Sequence, residues 1–261
     1  MSEMKMDANR SICGAKMLMI IVGLAATLIL SSWDLIRANV TGSSHYGVID
    51  MLGTALMMDK FKVLMAMLTA GIYTAGFCYD FKHHYIRMIL ARTDLINYSI
   101  SKFVVNTIAV VLACIASFYL FSIVAVYFFK ADWTQIKTVP CYYQIGYRMP
   151  LLYIGMMALQ FGMVCAMCSA VGMLFSVFQP NTFVCIGISG MVFFSAISYI
   201  PLGSIVDVYN LISMQPTLPR GQNTMQGIQF LWGMLYPICV ILICTYLFYR
   251  RMKWREQNGF L

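Results

Sequence analysis

Charged residues divide this chain into long blocks. Six stretches hold no Lys, Arg, Asp or Glu: 17–33, 63–79, 103–129, 149–178, 182–199 and 228–249. An α-helix needs about 20 apolar residues, within a range of about 17–25, to cross a hydrocarbon core about 30 Å thick. Each stretch therefore predicts a membrane-spanning helix. Stretches 103–129 and 149–178 run to 27 and 30 residues, so they tilt or project beyond the bilayer. None alternates polar and apolar residues as the strands of a membrane barrel do. The expected fold class is an all-α membrane protein with six transmembrane helices in a single transmembrane domain, 1–261.

Two shorter apolar patches fit no span. Segment 48–58 is framed by Asp50 and Asp59 and predicts an interfacial helix. Segment 200–214 carries Pro201, Gly203 and Asp207, which suits an outer re-entrant or interfacial helix-loop before the sixth helix. Irregular backbone exposed to lipid leaves polar groups unsatisfied, so that piece must be covered by protein or lie among headgroups. The basic start, apolar core and Ala25-Ala26 of residues 1–33 resemble a cleaved leader. The apolar run continues through Leu28-Ile29-Leu30, however, and a retained first span is the expectation.

Composition sharpens this picture. Hydrophobic residues make up 61% of the 261 and charged residues 11%, against about 45–50% and about 25% in soluble domains. These figures exclude a soluble domain, a disordered chain and a coiled coil. With both termini inside, the inner side holds eleven Lys/Arg (5, 10, 16, 82, 87, 92, 102, 250, 251, 253 and 255) and the outer side seven. Cytoplasmic loops carry the excess of Lys and Arg. The expected location is the plasma membrane, multi-pass, with N- and C-termini cytoplasmic. The net charge of +8 is this bias plus contact with membrane lipid headgroups, and no nucleic acid is needed to explain it.

Nine cysteines and three histidines bring little chemistry. Only Cys141 falls in an outer loop, so a structural disulfide is not expected. Cys165-x-x-Cys168 has redox or metal spacing, but it lies inside the fourth stretch without a second pair or a nearby His, where Cys packs as a small hydrophobe. His83 and His84 are adjacent and point about 100° apart on a helix. No metal site is expected, and no His, Asp or Glu lies within the six stretches to serve as acid or base.

Segment 80–102 is the most informative. Phe81, Tyr85, Met88 and Ile89 fall at helical spacing on one face, with Lys82, His83 and Arg87 off that stripe. Thr93-Asp94 then supplies an N-cap for a helix entering the third span. One short amphipathic helix across the ends of spans two and three is predicted. It is either a loop anchor or a docking element for a cytoplasmic partner. A docking element transmits movement only if it is tied rigidly to the spans that flank it.

Asp80-Phe81, Tyr85-Ile86-Arg87, Ile89-Leu90, Arg92 and Tyr98-x-x-Ser101-Lys102 resemble the permease subunits of type-2 ATP-binding-cassette exporters. Among these, the chain is similar to small six-span permeases of Gram-positive bacteria that serve antimicrobial-peptide efflux or immunity. The six-span count, the inner termini and the tight turn Phe178-Gln179-Pro180-Asn181 also fit. The resemblance implies that the helix between spans two and three is a coupling helix. Its residues Asp80, Phe81, Tyr85, Ile86, Arg87, Met88, Ile89 and Arg92 would dock on a separate cytoplasmic ATPase subunit. It also implies a second permease chain, identical or paralogous, around a central cleft. The cargo would be an amphipathic peptide or other hydrophobic compound. Two features depart from the family: His84 stands where Gly is frequent, and the segment before the first span is short, either a reduced elbow helix or a tail.

No G-x-x-x-x-G-K-[ST] occurs, so no phosphate-cradling loop is present in the chain. The expectation is a non-catalytic permease with no cofactor of its own, ATP and Mg being bound by the partner ATPase. The competing reading is a non-transporting immunity or sensor protein that binds a ligand. Ala158, Gly162, Ala166 and Ala170 recur every fourth residue and predict a close helix-packing face, within the subunit or between subunits. Asn106 and Gln160 either line a conduit or hydrogen-bond between helices.

Overall fold

A computed structural model describes residues 2–12, 14–42, 45–57, 59–83, 85–90, 93–133, 143–198 and 225–258. Among these, every regular element is helical: α1 (Ser2–Ile12), α2 (Ala15–Ser31), α3 (Trp33–Thr41), α4 (Val48–Met57), α5 (Asp59–Ala70), α6 (Gly76–Lys82), α7 (Tyr85–Leu90), α8 (Leu95–Phe129), α9 (Tyr143–Arg148), α10 (Pro150–Ser176), α11 (Thr182–Ser198) and α12 (Met225–Gln257). The chain is an all-helical membrane protein. Three helices are long and apolar enough to cross a membrane: Leu95–Phe129, Pro150–Ser176 and Phe230–Gln257. A fourth crossing is available if the pair α1–α2, bent by 42°, counts as one span. Phe61–Ala70 and Thr182–Ser198 are apolar but shorter. The expected helix-loop at 200–214 lies outside the described residues.

Helix α10 is the central element, packed against α8, α11, α12 and α5. Its small residues explain how. Ala158, Ala166 and Ala170 are completely buried, and a Cβ added at Gly162 would lie 3.2 Å from the Val111 backbone on α8. The predicted ladder thus packs within the subunit. In lipid, helices associate through such close backbone approach because apolar burial drives nothing there. Further along α10, a Cβ at Gly172 would meet the Ser189 hydroxyl and come to 2.5 Å from the Cys185 carbonyl oxygen of α11. Cys165 and Cys168 are buried packing residues of the same helix, and the Cys78 and Cys185 sulfurs touch at 3.6 Å.

The second predicted span is not one helix. Residues 71–75 form a turn between α5 and α6. The sequence Gly71-Ile72-Tyr73-Thr74-Ala75-Gly76 combines two glycines with β-branched Ile and Thr, all weak helix formers. The break turns Tyr73 and Thr74 inward, where both are buried. The first predicted span is one helix, α2, which ends at Ser31; the Ser32 hydroxyl donates to the Leu28 carbonyl at 2.8 Å, and α3 follows from Trp33.

Segment 48–58 was expected at the interface. Most of α4 is covered by protein: Val48, Met51, Leu52, Ala55 and Leu56 have no exposed surface and the helix packs on α2, α5 and α8, while Gly53 and Thr54 stay partly exposed. Eleven residues cannot span lipid, but they can fill a gap between longer helices. The Ser31 hydroxyl donating to the Ala55 carbonyl at 3.2 Å ties this filler to α2.

The Gly172 contact generates a paired prediction. Gly172→Ala should destabilise the protein by about 1–3 kcal/mol, the range for forcing extra carbon into a packed core. Gly187→Ala on α11, where a Cβ meets nothing within 4 Å, should be neutral or stabilising. Thermal unfolding of both variants in detergent measures the difference.

Candidate functional site

One end of the bundle gathers charge below the surface. Lys102 sits two turns into α8 and is 1% exposed. An ammonium carries three donors. Those of Lys102 reach the Asp7 carboxylate at 2.9 Å, the Asp80 carboxylate at 2.7 Å and the Tyr73 hydroxyl oxygen at 2.8 Å. Asp80 receives two further hydrogen bonds, from the Tyr98 hydroxyl at 3.3 Å and the Arg10 guanidinium at 3.2 Å. The Tyr73 and Tyr98 rings stand 5.3 and 5.2 Å from the Lys102 nitrogen, adding cation–π attraction.

Four separate segments meet at this nitrogen. Asp7 and Arg10 lie one turn apart on α1, so one face of a short helix brings both charges. Tyr73 arrives because the chain turns at 71–75. Asp80 stands near the end of α6, and Lys102 and Tyr98 share one face of α8. Two carboxylates face one lysine and one arginine, so the cluster is neutral as a unit. Arg10 is half exposed (49%), whereas Asp7, Asp80 and Lys102 are buried. The residues before the first predicted span are therefore a docked helix rather than a tail.

Sequence patterning had kept every acid out of the interior. Asp80 and Asp7 nonetheless have 2% and 1% exposure. The discrepancy has a simple cause. An uncharged run marks where lipid contact is possible, but helices continue past it, and charges at their ends are buried when they meet one another. Of this cluster only Asp80 was singled out as a site residue; Tyr98 and Lys102 stood in the 80–102 motif without a site role, and Asp7 and Tyr73 were found by folding. The signal for Asp7 was weak: an Asp and an Arg at helical spacing within residues 2–12.

The predicted 81–92 helix is also revised. α6 ends at Lys82, capped by His83, and α7 starts at Tyr85. The buried residues of α7 are Ile86, with Ile89 and Leu90 half-buried, while Tyr85 (48%) and Met88 (58%) are exposed. Phe81, Tyr85, Met88 and Ile89 do not form one packed face. A helix turns about 100° per residue, so Phe77, Asp80 and Phe81 would lie about half a turn away from Ile86, Ile89 and Leu90 on a straight helix. Both sets can be buried only if the helix breaks between them. Arg87 lies within α7, its side chain outside the described set, and Arg92 lies outside the described residues.

Asn106 and Gln160 are both deep in the bundle, with 0% and 2% exposure. The Asn106 amide donates to the Ser169 hydroxyl at 2.8 Å, and Thr74 contacts the same hydroxyl at 2.6 Å. Asn106 thus joins α8, α10 and the 71–75 turn.

The same end carries the close of the chain. Arg255 of α12 stands 5.5 Å over the Phe81 ring, and Lys16 5.0 Å over Tyr79. The beginning of the chain, the α6–α7 segment and the end of α12 are therefore neighbours. No family model, no curated protein and no solved structure matches this chain.

The lysine cluster predicts a large, asymmetric mutational response. Lys102→Met leaves two buried carboxylates facing each other and should cost about 3–5 kcal/mol, as removal of one partner from a buried pair does. Adding Asp7→Asn and Asp80→Asn to Lys102→Met should recover a large part of the loss. Comparison of unfolding midpoints in detergent checks both statements.

Proposed function

We propose that this chain is the membrane-spanning subunit of an ATP-driven exporter of the type-2 ATP-binding-cassette kind. Its six crossings are α2, the broken pair α5–α6, α8, α10, α11 and α12. The single observation that carries the reading is the attachment of the α6–α7 segment. α7 hangs between α6 and α8, and the ends of those two helices are fastened to each other through Asp80 and Lys102. A push on α7 is then delivered to both spans and, through Asp7, to α1. A loop that only anchored the chain to lipid would need no such fastening.

The surface of α7 supports the same reading. Tyr85 and Met88 are exposed, the Tyr85 ring standing beside that of His83, and one aromatic and one flexible apolar side chain suit a groove on a partner protein. That partner is a cytoplasmic ABC ATPase subunit, which binds ATP and Mg. Orientation follows from charge: Arg10, Lys16, Lys82, Lys102, Arg251 and Arg255 share one end, which faces the cytoplasm of a plasma membrane. α12 exposes Leu231, Leu235, Leu242, Ile243 and Tyr246, apolar area for lipid or a second permease chain. The cargo class, an amphipathic peptide or hydrophobic compound, rests on the resemblance of segment 80–102 alone.

Purification from the native host in mild detergent, followed by mass spectrometry of co-purifying chains, tests the proposal. A stoichiometric partner with a phosphate-binding-loop lysine is the expected result. Arg87→Glu should insert and fold but lose that partner. A monodisperse chain that reproducibly brings no ATPase would sink the exporter reading.

A further inference from the structure

The close of α12 holds an unusual concentration of charge. Arg250, Arg251, Lys253 and Arg255 fall within six residues directly after the apolar run that ends at Tyr249, and the one acid nearby, Glu256, is exposed. Arg251 and Arg255 stand one helical turn apart on the same face. Like charges at that spacing repel and destabilise a helix. Here the repulsion is not relieved by a carboxylate: among the described residues neither guanidinium makes an ion pair or hydrogen bond, and Arg251 Nε and Arg255 Nη1 are buried without a hydrogen-bond partner.

Aromatic rings hold the two guanidiniums in place instead. Arg251 lies 4.1 Å from the centroid of Trp254 and 5.2 Å from that of Phe178, in the turn between α10 and α11. Arg255 lies 5.5 Å from the centroid of Phe81 on α6. Ring contact fixes a guanidinium while leaving its remaining N–H donors free to bind an anion in the forked geometry that suits phosphate. Three separate elements thus supply rings to a pair of cations that has no counter-ion among the described residues.

We infer that Arg251 and Arg255 form a binding site for the phosphodiester of an anionic phospholipid. The position selects this source of phosphate. The pair follows the last apolar run directly, at the depth of headgroups, and basic residues just beyond a membrane helix attract anionic lipid. Bound there, the phosphate removes the repulsion along α12. The guanidiniums that hold it rest on Phe81 and Phe178, so the bound lipid is coupled through them to α6 and to the turn after α10. The site depends on the membrane character of the chain and stands whether or not an ATPase docks on α7.

Trp254 provides the probe. Purified protein is titrated in mixed micelles with dibrominated phosphatidylglycerol or dibrominated phosphatidylcholine, and the Trp254→Phe variant supplies the background from the other tryptophans. The anionic lipid should quench Trp254 at a lower mole fraction, by about fivefold per guanidinium. Arg251→Gln/Arg255→Gln should erase that preference, and Arg250→Gln/Lys253→Gln should keep it. Equal quenching by both lipids overturns the site. So does an equal loss of preference in the second double variant, which would mean diffuse charge. Loss of the preference in millimolar inorganic phosphate would assign the pair to a free anion and overturn the lipid. If the first double variant fails to fold, the wild-type lipid comparison and the phosphate titration still decide.

Discussion

The architecture turns on one ammonium group. Lys102 has three protons to give, and three separate segments each accept one. Removing an ion from water costs several kcal/mol, and the cost is offset only when geometry and hydrogen bonding are both complete. On the ammonium all three donors are used, and that is what fixes the surroundings. α1 must dock to bring Asp7, the chain must turn at 71–75 to bring Tyr73, and α6 must end where it does to bring Asp80. Apolar packing between helices tolerates sliding by a fraction of a turn; a three-donor ammonium between two carboxylates does not.

The long helices were readable because lipid and charge exclude each other. α8, α10 and α12 follow stretches 103–129, 149–178 and 228–249 and extend past several of their ends. The ladder Ala158-Gly162-Ala166-Ala170 was legible as a packing face for a similar reason, since small residues every four positions have few other uses in a membrane helix. The interruptions were harder. Nothing in the hydropathy of 63–79 separates a straight span from one broken at Gly71, because the break is fixed by Tyr73 and Thr74 reaching Lys102 and Ser169. The end of α6 carries no Gly or Pro; it follows from two buried sets of residues on opposite sides of a helix. Charge pairing between Asp7 and Lys102 joins residues too far apart for any local pattern to expose.

α4 shows the same limit from the other side. Its length and its framing acids suggested the interface, yet most of it is covered by protein. A short helix inside a membrane domain is stable when longer neighbours surround it, and burial then depends on what packs around the segment rather than on its own hydropathy. The same holds for α5, whose twelve residues would span no bilayer alone. α4 packs on α2, α5 and α8, α5 packs on α11, α10 and α2, and the polar Asp50 and Lys62 they carry are buried with them.

The docking of α1 also fixes an order of events during synthesis. Asp7 leaves the ribosome early, and Lys102 follows 95 residues later. At about 5–20 residues per second, that interval lasts on the order of 5–20 seconds. Throughout it the α1 carboxylate has no partner in the membrane and must stay hydrated. α1 therefore waits at the water boundary while α2 to α7 are made, and it seats only once the start of α8 has emerged. α1 precedes α2 to α7 in synthesis and follows them into its final place.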